Sequence, residues 1–195
     1  MSKPITIVSG LPRSGTSLMM KMLEAGGLEV VIDGIREANE DNPNGYYEYE
    51  IAKKVKEDQS WLPDTQGKVF KMVSMLLKDL PLDKGYQYKV VFMRRKMPEI
   101  LASQTKMLER DGKNKADGPT DEQMTALFTK HLKEMEEWIA RQECIHVLYV
   151  WYHDVVENPG EQTARIQDFL DAAKLDGDRM NQVADRSLYR NRVTA

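Results

Sequence analysis

Residues Gly10 to Ser17 read Gly-Leu-Pro-Arg-Ser-Gly-Thr-Ser and follow directly on the apolar run Ile5-Thr6-Ile7-Val8. Two glycines, three hydroxyls and one cation in so short a stretch are the ingredients of an anion cradle. Glycine lets the backbone turn close to a ligand, N–H groups at a helix start point at it, and hydroxyls and a guanidinium complete the donor set. The spacing is nearly the Gly-x4-Gly-Lys-Ser/Thr of a nucleotide phosphate loop, but Thr16 stands where the lysine belongs and Arg13 is the loop's only positive charge. This departure argues against ordinary ATP or GTP chemistry.

A second group of donors lies downstream. The run Tyr88 to Met93 reads as a strand, it ends in Arg94-Arg95, and Ser103 follows Arg95 by eight positions inside a helical pattern. Helix side chains lean toward the N-terminus of their helix, so Ser103 is expected to point back at an anion held by Arg95. A guanidinium fork binds phosphate bidentately. Two anion sites at different strand ends suit a nucleoside phosphorylated at two positions.

The rest of the chain must position these groups. Its 195 residues, 41% of them hydrophobic, are enough for one domain with a sizeable core, residues 1–195. A net charge of −3 gives no general basic field for nucleic acid or an anionic membrane, so the cations that bind an anion must be concentrated locally. Cys144 is the single cysteine, which excludes an internal disulfide framework; it is expected to be buried. No apolar stretch approaches the roughly 20 residues needed to cross a bilayer, and a cytoplasmic location is expected.

Strand patterns at Ile5–Val8, Leu28–Ile32, Lys68–Val73, Tyr88–Met93 and Ile145–Val150 alternate with helical ones. The helix after the first strand buries Leu18, Met19, Met22 and Leu23; later ones run from Pro98 to Arg110 and through Met124, Phe128, Leu132, Met135 and Ile139. The order predicts an α/β fold, a parallel sheet with helices on both faces, with ligands at the C-terminal strand ends. Asp33 to Gly45 and Asp111 to Pro119, rich in Asn, Asp, Pro and Gly, read as surface loops.

The loop with an early cation followed by Ser-Gly-Thr-Ser resembles the 5′-phosphosulfate loop of sulfotransferases, which transfer a sulfuryl group from 3′-phosphoadenosine 5′-phosphosulfate (PAPS). The Pro-Arg-Ser-Gly-Thr form is similar to the bacterial and protein-tyrosine branch, whereas cytosolic steroid and phenol sulfotransferases carry lysine at the Arg13 position. Arg95 and Ser103 match the spacing of the family's 3′-phosphate motif. Val147 to Asp154, Pro159 and Ile166 to Leu170 follow its C-terminal pattern, with His153 where a glutamate is usual. The resemblance implies a P-loop-type sheet, PAPS as cofactor and 3′-phosphoadenosine 5′-phosphate (PAP) as product. It implies that Arg13, Ser14, Gly15, Thr16 and Ser17 hold the 5′-phosphosulfate, that Arg95 and Ser103 hold the 3′-phosphate, and that Tyr152 lies near the adenine. The cationic tail Ser187 to Arg192, with Arg190, is placed to lie over the 3′-phosphate.

Sulfuryl transfer is an in-line displacement, so the catalyst needs positioned cations and donors more than a covalent nucleophile. Arg13 is expected to neutralise the leaving phosphate, and no metal is required in principle. Small-molecule sulfotransferases use a histidine two residues beyond a strand lysine as base; here Lys71-Met72-Val73 puts valine there. In the tyrosine-sulfating branch the base is a loop glutamate, which makes Asp33 and Glu37 the candidates, Glu37 preferred, with Glu48 third and His153 retained. Lys71 is expected to bind the sulfuryl group or pair with an acid. His131 and His146 read as structural. The acceptor is a hydroxyl or amine of a small molecule or peptide, with specificity in Asp33 to Trp61 and Asp111 to Pro119. The other readings are a phosphotransferase with Arg13 in place of the motif lysine and a nucleotide-binding module without turnover.

Overall fold

Four strands, all parallel, form one sheet in the order β2-β1-β3-β4. In the computed structural model, which describes residues 3–34, 45–112, 118–171, 174–184 and 189, these are β1 (Ile5–Gly10), β2 (Val69–Val73), β3 (Tyr88–Arg94) and β4 (Ile145–Trp151). Among the described residues six α-helices accompany them: α1 (Thr16–Ala25), α2 (Met97–Arg110), α3 (Asp121–Ile139), α4 (Tyr152–Glu157), α5 (Pro159–Leu170) and α6 (Gly177–Val183). The sheet is buried on both sides, which is why its strands read as near-continuous apolar runs.

Side chains alternate between two cores. Val8, Val69, Val91, Met93 and Val150 pack with α1, α4, α5 and α6 on one face. Ile5, Ile7, Phe70, Met72, Val90 and Phe92 pack with Met135 and Ile139 of α3 and with Trp61 and Leu77 on the other. The α/β architecture expected from the sequence is the one observed.

One expected strand is not formed. Leu28 to Ile32 makes a single bridge, Val30 to Val69, with two flanking hydrogen bonds, Val31 N to Val69 O (2.8 Å) and Val69 N to Glu29 O (2.9 Å). A β-branched run placed beside a sheet edge and turned away after one pairing satisfies local propensity without extending the ladder. Cys144, expected to be buried, is only half-buried. Residues 35–44 and 113–117, within the two expected loops, lie outside the described residues.

Connections from β1 run to one side of the sheet and those from β3 to the other, so the order reverses between these two neighbours. Such a reversal opens a crevice at the C-terminal strand ends. Register puts Gly10 opposite Met93 at that end. At the other end of β3, Lys89 Nζ donates to the carbonyl of Phe169 (2.9 Å) and pairs with Asp171, tying the strand's start to the end of α5.

α1 starts at Gly15 in a left-handed conformation (φ 100°) and ends at Gly26-Gly27, where Leu28 N returns to Leu23 O at 2.9 Å. That closing bond is a Schellman turn, which leaves glycine the natural residue at the left-handed position. α3 opens on a capping box between Thr120 and Gln123.

Gly10 is required by contact as well as by conformation. Its φ is +148°, and a Cβ there would lie 2.6 Å from the carbonyl oxygen of Met93 and 2.6 Å from Ser14 Oγ. Gly27, at φ +96°, has open space around it. Gly10→Ala is therefore expected to cost roughly 2–4 kcal/mol of stability and Gly27→Ala about 1 kcal/mol, as read by urea unfolding of the two variants. Equal effects would mean that contact with β3 does not constrain the loop.

Candidate active site

The segment from Gly10 to α1 is wound tightly. Ser14 N closes a turn onto Leu11 O (3.2 Å), Arg13 takes φ 69° and Gly15 φ 100°. A non-glycine residue in the left-handed region is uncommon and persists where its surroundings over-determine it. Both sides of Arg13 are held: its Nε donates to Ser103 Oγ of α2 at 2.9 Å, and its carbonyl accepts from Arg95 Nη1 at 3.2 Å. Positive φ on either side of Ser14 turns the backbone sharply at Arg13 and at Gly15, and such turns are where backbone N–H groups form anion-binding concavities. The first turn of α1 opens from the same place with no side-chain cap.

Ser14 is 1% exposed, and its hydroxyl has no hydrogen-bond partner among the described residues. A buried hydroxyl without a partner is costly, and an anion held at this turn would satisfy it. Ser17 Oγ donates to Tyr46 O (3.3 Å). The same carbonyl accepts from Lys71 Nζ, which reaches it from β2 on the α1 face of the sheet. Lys71, placed by sequence near the transferring group, thus meets the chain at Tyr46 beside the start of α1.

Period two separates the paired arginines. Arg94 turns to the α3 face, pairs with Glu136 and stacks over Phe92 and Tyr149 at 5.5 and 5.1 Å. Arg95 turns to the crevice. There its Nε contacts Glu99 Oε2 at 3.0 Å, and its guanidinium lies 4.3 Å from the centre of the Tyr152 ring. Tyr152 is buried, and the edge of its ring fills the space beside Gly15, where a Cβ would come within 2.4 Å. Arg13, Ser14, Gly15, Arg95, Ser103 and Tyr152 therefore form one contiguous cluster.

The proposed bases separate. Asp33 is exposed and its carboxylate accepts from the backbone N–H of Glu50, capping the short turn there. Glu37 and Arg190 lie outside the described residues. Glu48 pairs with Lys53 at 3.0 Å with its side chain 17% exposed. Burial pushes its carboxyl up, but the Lys53 hydrogen bond and the charges of Lys71 and Lys53 outweigh that, and it is held below the usual carboxylate range. His153 sits beside Asp154 (Nε2 to Oδ1 3.2 Å) in the first turn of α4.

Two participants were not anticipated from sequence. Glu99 stands four residues after Arg95, a readable helix pair, but its burial was not readable. The carbonyl of Tyr46 meets Ser17 and Lys71 through tertiary contacts that leave no local signal, whereas Tyr189 belongs to the tail expected over the 3′-phosphate and stands 5.8 Å from Arg95.

The family model described as the sulfotransferase family matches residues 46–176. The chain belongs to the sulfotransferase family. It is an enzyme of sulfuryl transfer, and the phosphotransferase reading is set aside. Among solved structures, a sulfotransferase domain from the curacin biosynthetic pathway superposes with a TM-score of 0.53 at 14% identity, covering 99% of this chain and 93% of that one. A mouse sulfotransferase complexed with PAP gives 0.54 at 16% identity, covering 95% of this chain, which spans 63% of the mouse protein. At these identities the likeness is one of fold. No curated protein matches the sequence. No helix among the described residues of this sulfotransferase is long and apolar enough to cross a membrane.

His131, on α3, meets the buried Ser74 just past β2, Nε2 to Oγ 2.8 Å. Burial, helped by the charge of Lys78 and opposed by Glu134, holds its imidazole below the ordinary range. The native state then takes up this proton less readily than the unfolded chain, so the contribution to stability is complete above about pH 6.5 and is lost as the pH falls. Urea unfolding between about pH 7.5 and pH 5 should show a steeper loss for wild type than for His131→Gln, and parallel curves would contradict the assignment.

Proposed function

We propose that this sulfotransferase takes its sulfuryl group from PAPS and delivers it to a hydroxyl or amine of a small-molecule or peptide acceptor by in-line displacement. The observation that carries the reading is the pair of bonds from Arg95 Nη1 to the Arg13 carbonyl (3.2 Å) and from Arg13 Nε to Ser103 Oγ (2.9 Å). They draw both arginines and the serine into one cluster. The 3′ and 5′ phosphates of a nucleoside bisphosphate sit on one ribose, so a site that reads both needs its cations as neighbours.

The donor set fits such a molecule. The buried Ser14 hydroxyl lacks a partner among the described residues, and it faces the space that a Cβ at Gly10 would fill. The turned backbone at Arg13 and Gly15 supplies N–H donors. The mouse enzyme of similar fold was solved with PAP. PAPS, when bound, supplies an activated sulfuryl group whose leaving portion is PAP.

The protein's own part is positional and electrostatic. Arg13, with the N–H groups and hydroxyls of Ser14 to Ser17, holds negative charge at the 5′ end, where a preorganised cation is most effective at the point charge develops. Arg95 and Ser103 hold the 3′-phosphate, and Tyr152 supports Arg95 from beneath. The Tyr189 ring stands 5.8 Å from Arg95, and Arg190 is kept as a further ligand of that phosphate on the sequence resemblance alone. Lys71 is the candidate for binding the transferring sulfuryl group, and its charge, with the Lys53 hydrogen bond, holds Glu48 below the usual carboxylate range. For the acceptor's proton the candidates are the carboxylates Glu37, Asp33 and Glu48.

Calorimetry should show binding of PAP and none of comparable strength for ATP with magnesium; a preference for ATP would count against the reading. Turnover of labelled PAPS over a panel of phenols, sugars and peptides should identify an acceptor. With that acceptor, Arg13→Ala is expected to lower kcat/KM by about 10²–10³-fold, and a loss below about tenfold would remove Arg13 from the leaving-group role.

A further inference from the structure

Arg95 is gripped on several sides before any ligand arrives. Its Nε rests on Glu99 Oε2 (3.0 Å), its Nη1 on the carbonyl of Arg13 (3.2 Å), and its face on the Tyr152 ring (4.3 Å). Glu99 is 1% exposed and divides its two oxygens, giving Oε2 to Arg95 and Oε1 to the phenol of Tyr189, which donates at 2.7 Å. Tyr189 in turn stands edge-on to Tyr152, ring centres 5.2 Å apart, so the two phenols and the carboxylate surround the guanidinium.

A buried carboxylate beside a site for an anion is unfavourable on charge alone. It repels the ligand, and its own desolvation is costly unless partners on its oxygens offset it. Both oxygens of Glu99 are satisfied, and the partner that matters is the cation facing the crevice. We propose that Glu99 is a positioning residue that gives this sulfotransferase its preference for a 3′-phosphorylated nucleotide. The inference rests on the reading that Arg95 receives the 3′-phosphate. With Nε committed to Glu99 and one Nη1 proton to the loop carbonyl, the guanidinium cannot rotate about its own plane. Three Nη protons remain, one on Nη1 and two on Nη2, and these are the donors it offers to phosphate oxygens. Without Glu99 the arginine keeps its charge but loses its aim. Tyr189 works one step further out, since its hydrogen bond fixes the carboxylate that fixes the arginine.

Because the carboxylate also cancels much of the arginine's charge, the preference comes from directed hydrogen bonds more than from net attraction. The reading of a general structural role and the reading of an aiming role differ in one measurable ratio. Calorimetry with PAP and with adenosine 5′-phosphate, which lacks the 3′-phosphate, is to be run on wild type, Glu99→Gln and Tyr189→Phe, with thermal unfolding as a check on folding. Wild type should prefer PAP. In Glu99→Gln the PAP affinity should fall about tenfold with adenosine 5′-phosphate changed less than about twofold; Tyr189→Phe should give about threefold in the same direction. Equal weakening toward both nucleotides, or an unchanged ratio, overturns the role of Glu99 and leaves the PAPS reading standing. Should Glu99→Gln not fold, an unchanged ratio in Tyr189→Phe overturns it alone. A wild type that binds both nucleotides alike overturns the 3′-phosphate site and this inference with it.

Discussion

The hydrogen bond from Arg95 to the backbone carbonyl of Arg13 joins the end of β3 to the loop after β1, and the rest of the site depends on it. A loop that takes a left-handed arginine and two left-handed glycines has no regular ladder to hold it. It keeps its shape because β3 presses against it: the carbonyl of Met93 leaves no room for a side chain at Gly10, and Tyr152 leaves none at Gly15. The loop is therefore set by its neighbours as much as by its own residues. That is why two cations far apart in sequence act as one site.

The position of this site follows from topology. The two strands that carry the arginines are adjacent, and the chain leaves them toward opposite sides of the sheet. Parallel strands put both C-terminal ends at the same level, so loop and strand end meet without any special device. Alternation then divides the labour of Arg94 and Arg95 between the two faces, one bracing α3 and the other facing the crevice.

Much of this was legible in the residues. The strands β1 to β4 and the two long helices follow hydrophobic periodicity, and the loop could be recognised because its glycines, hydroxyls and cation serve one purpose within a few residues. Arg95 was separable from Arg94 by its spacing to Ser103. What could not be read depends on tertiary placement. Leu28 to Ile32 has strand composition, yet pairing is decided by where the edge of the sheet lies, and only Val30 reaches it. The role of Asp33 as a turn cap is set by a backbone N–H seventeen positions away. Burial of Glu99 is a property of what packs over α2, and a helix-surface pair and a buried one look the same in sequence.

β3 is anchored at its two ends by unlike means. Near its start Lys89 grips the carbonyl of Phe169 and the Asp171 carboxylate at the end of α5; past its finish Arg95 grips the loop. The strand thus behaves as a beam clamped at a foundation and loaded at its tip. Sequence change at the foundation can adjust rigidity while leaving the loaded end untouched, which gives this fold scope to drift in thermal tolerance without surrendering its chemistry.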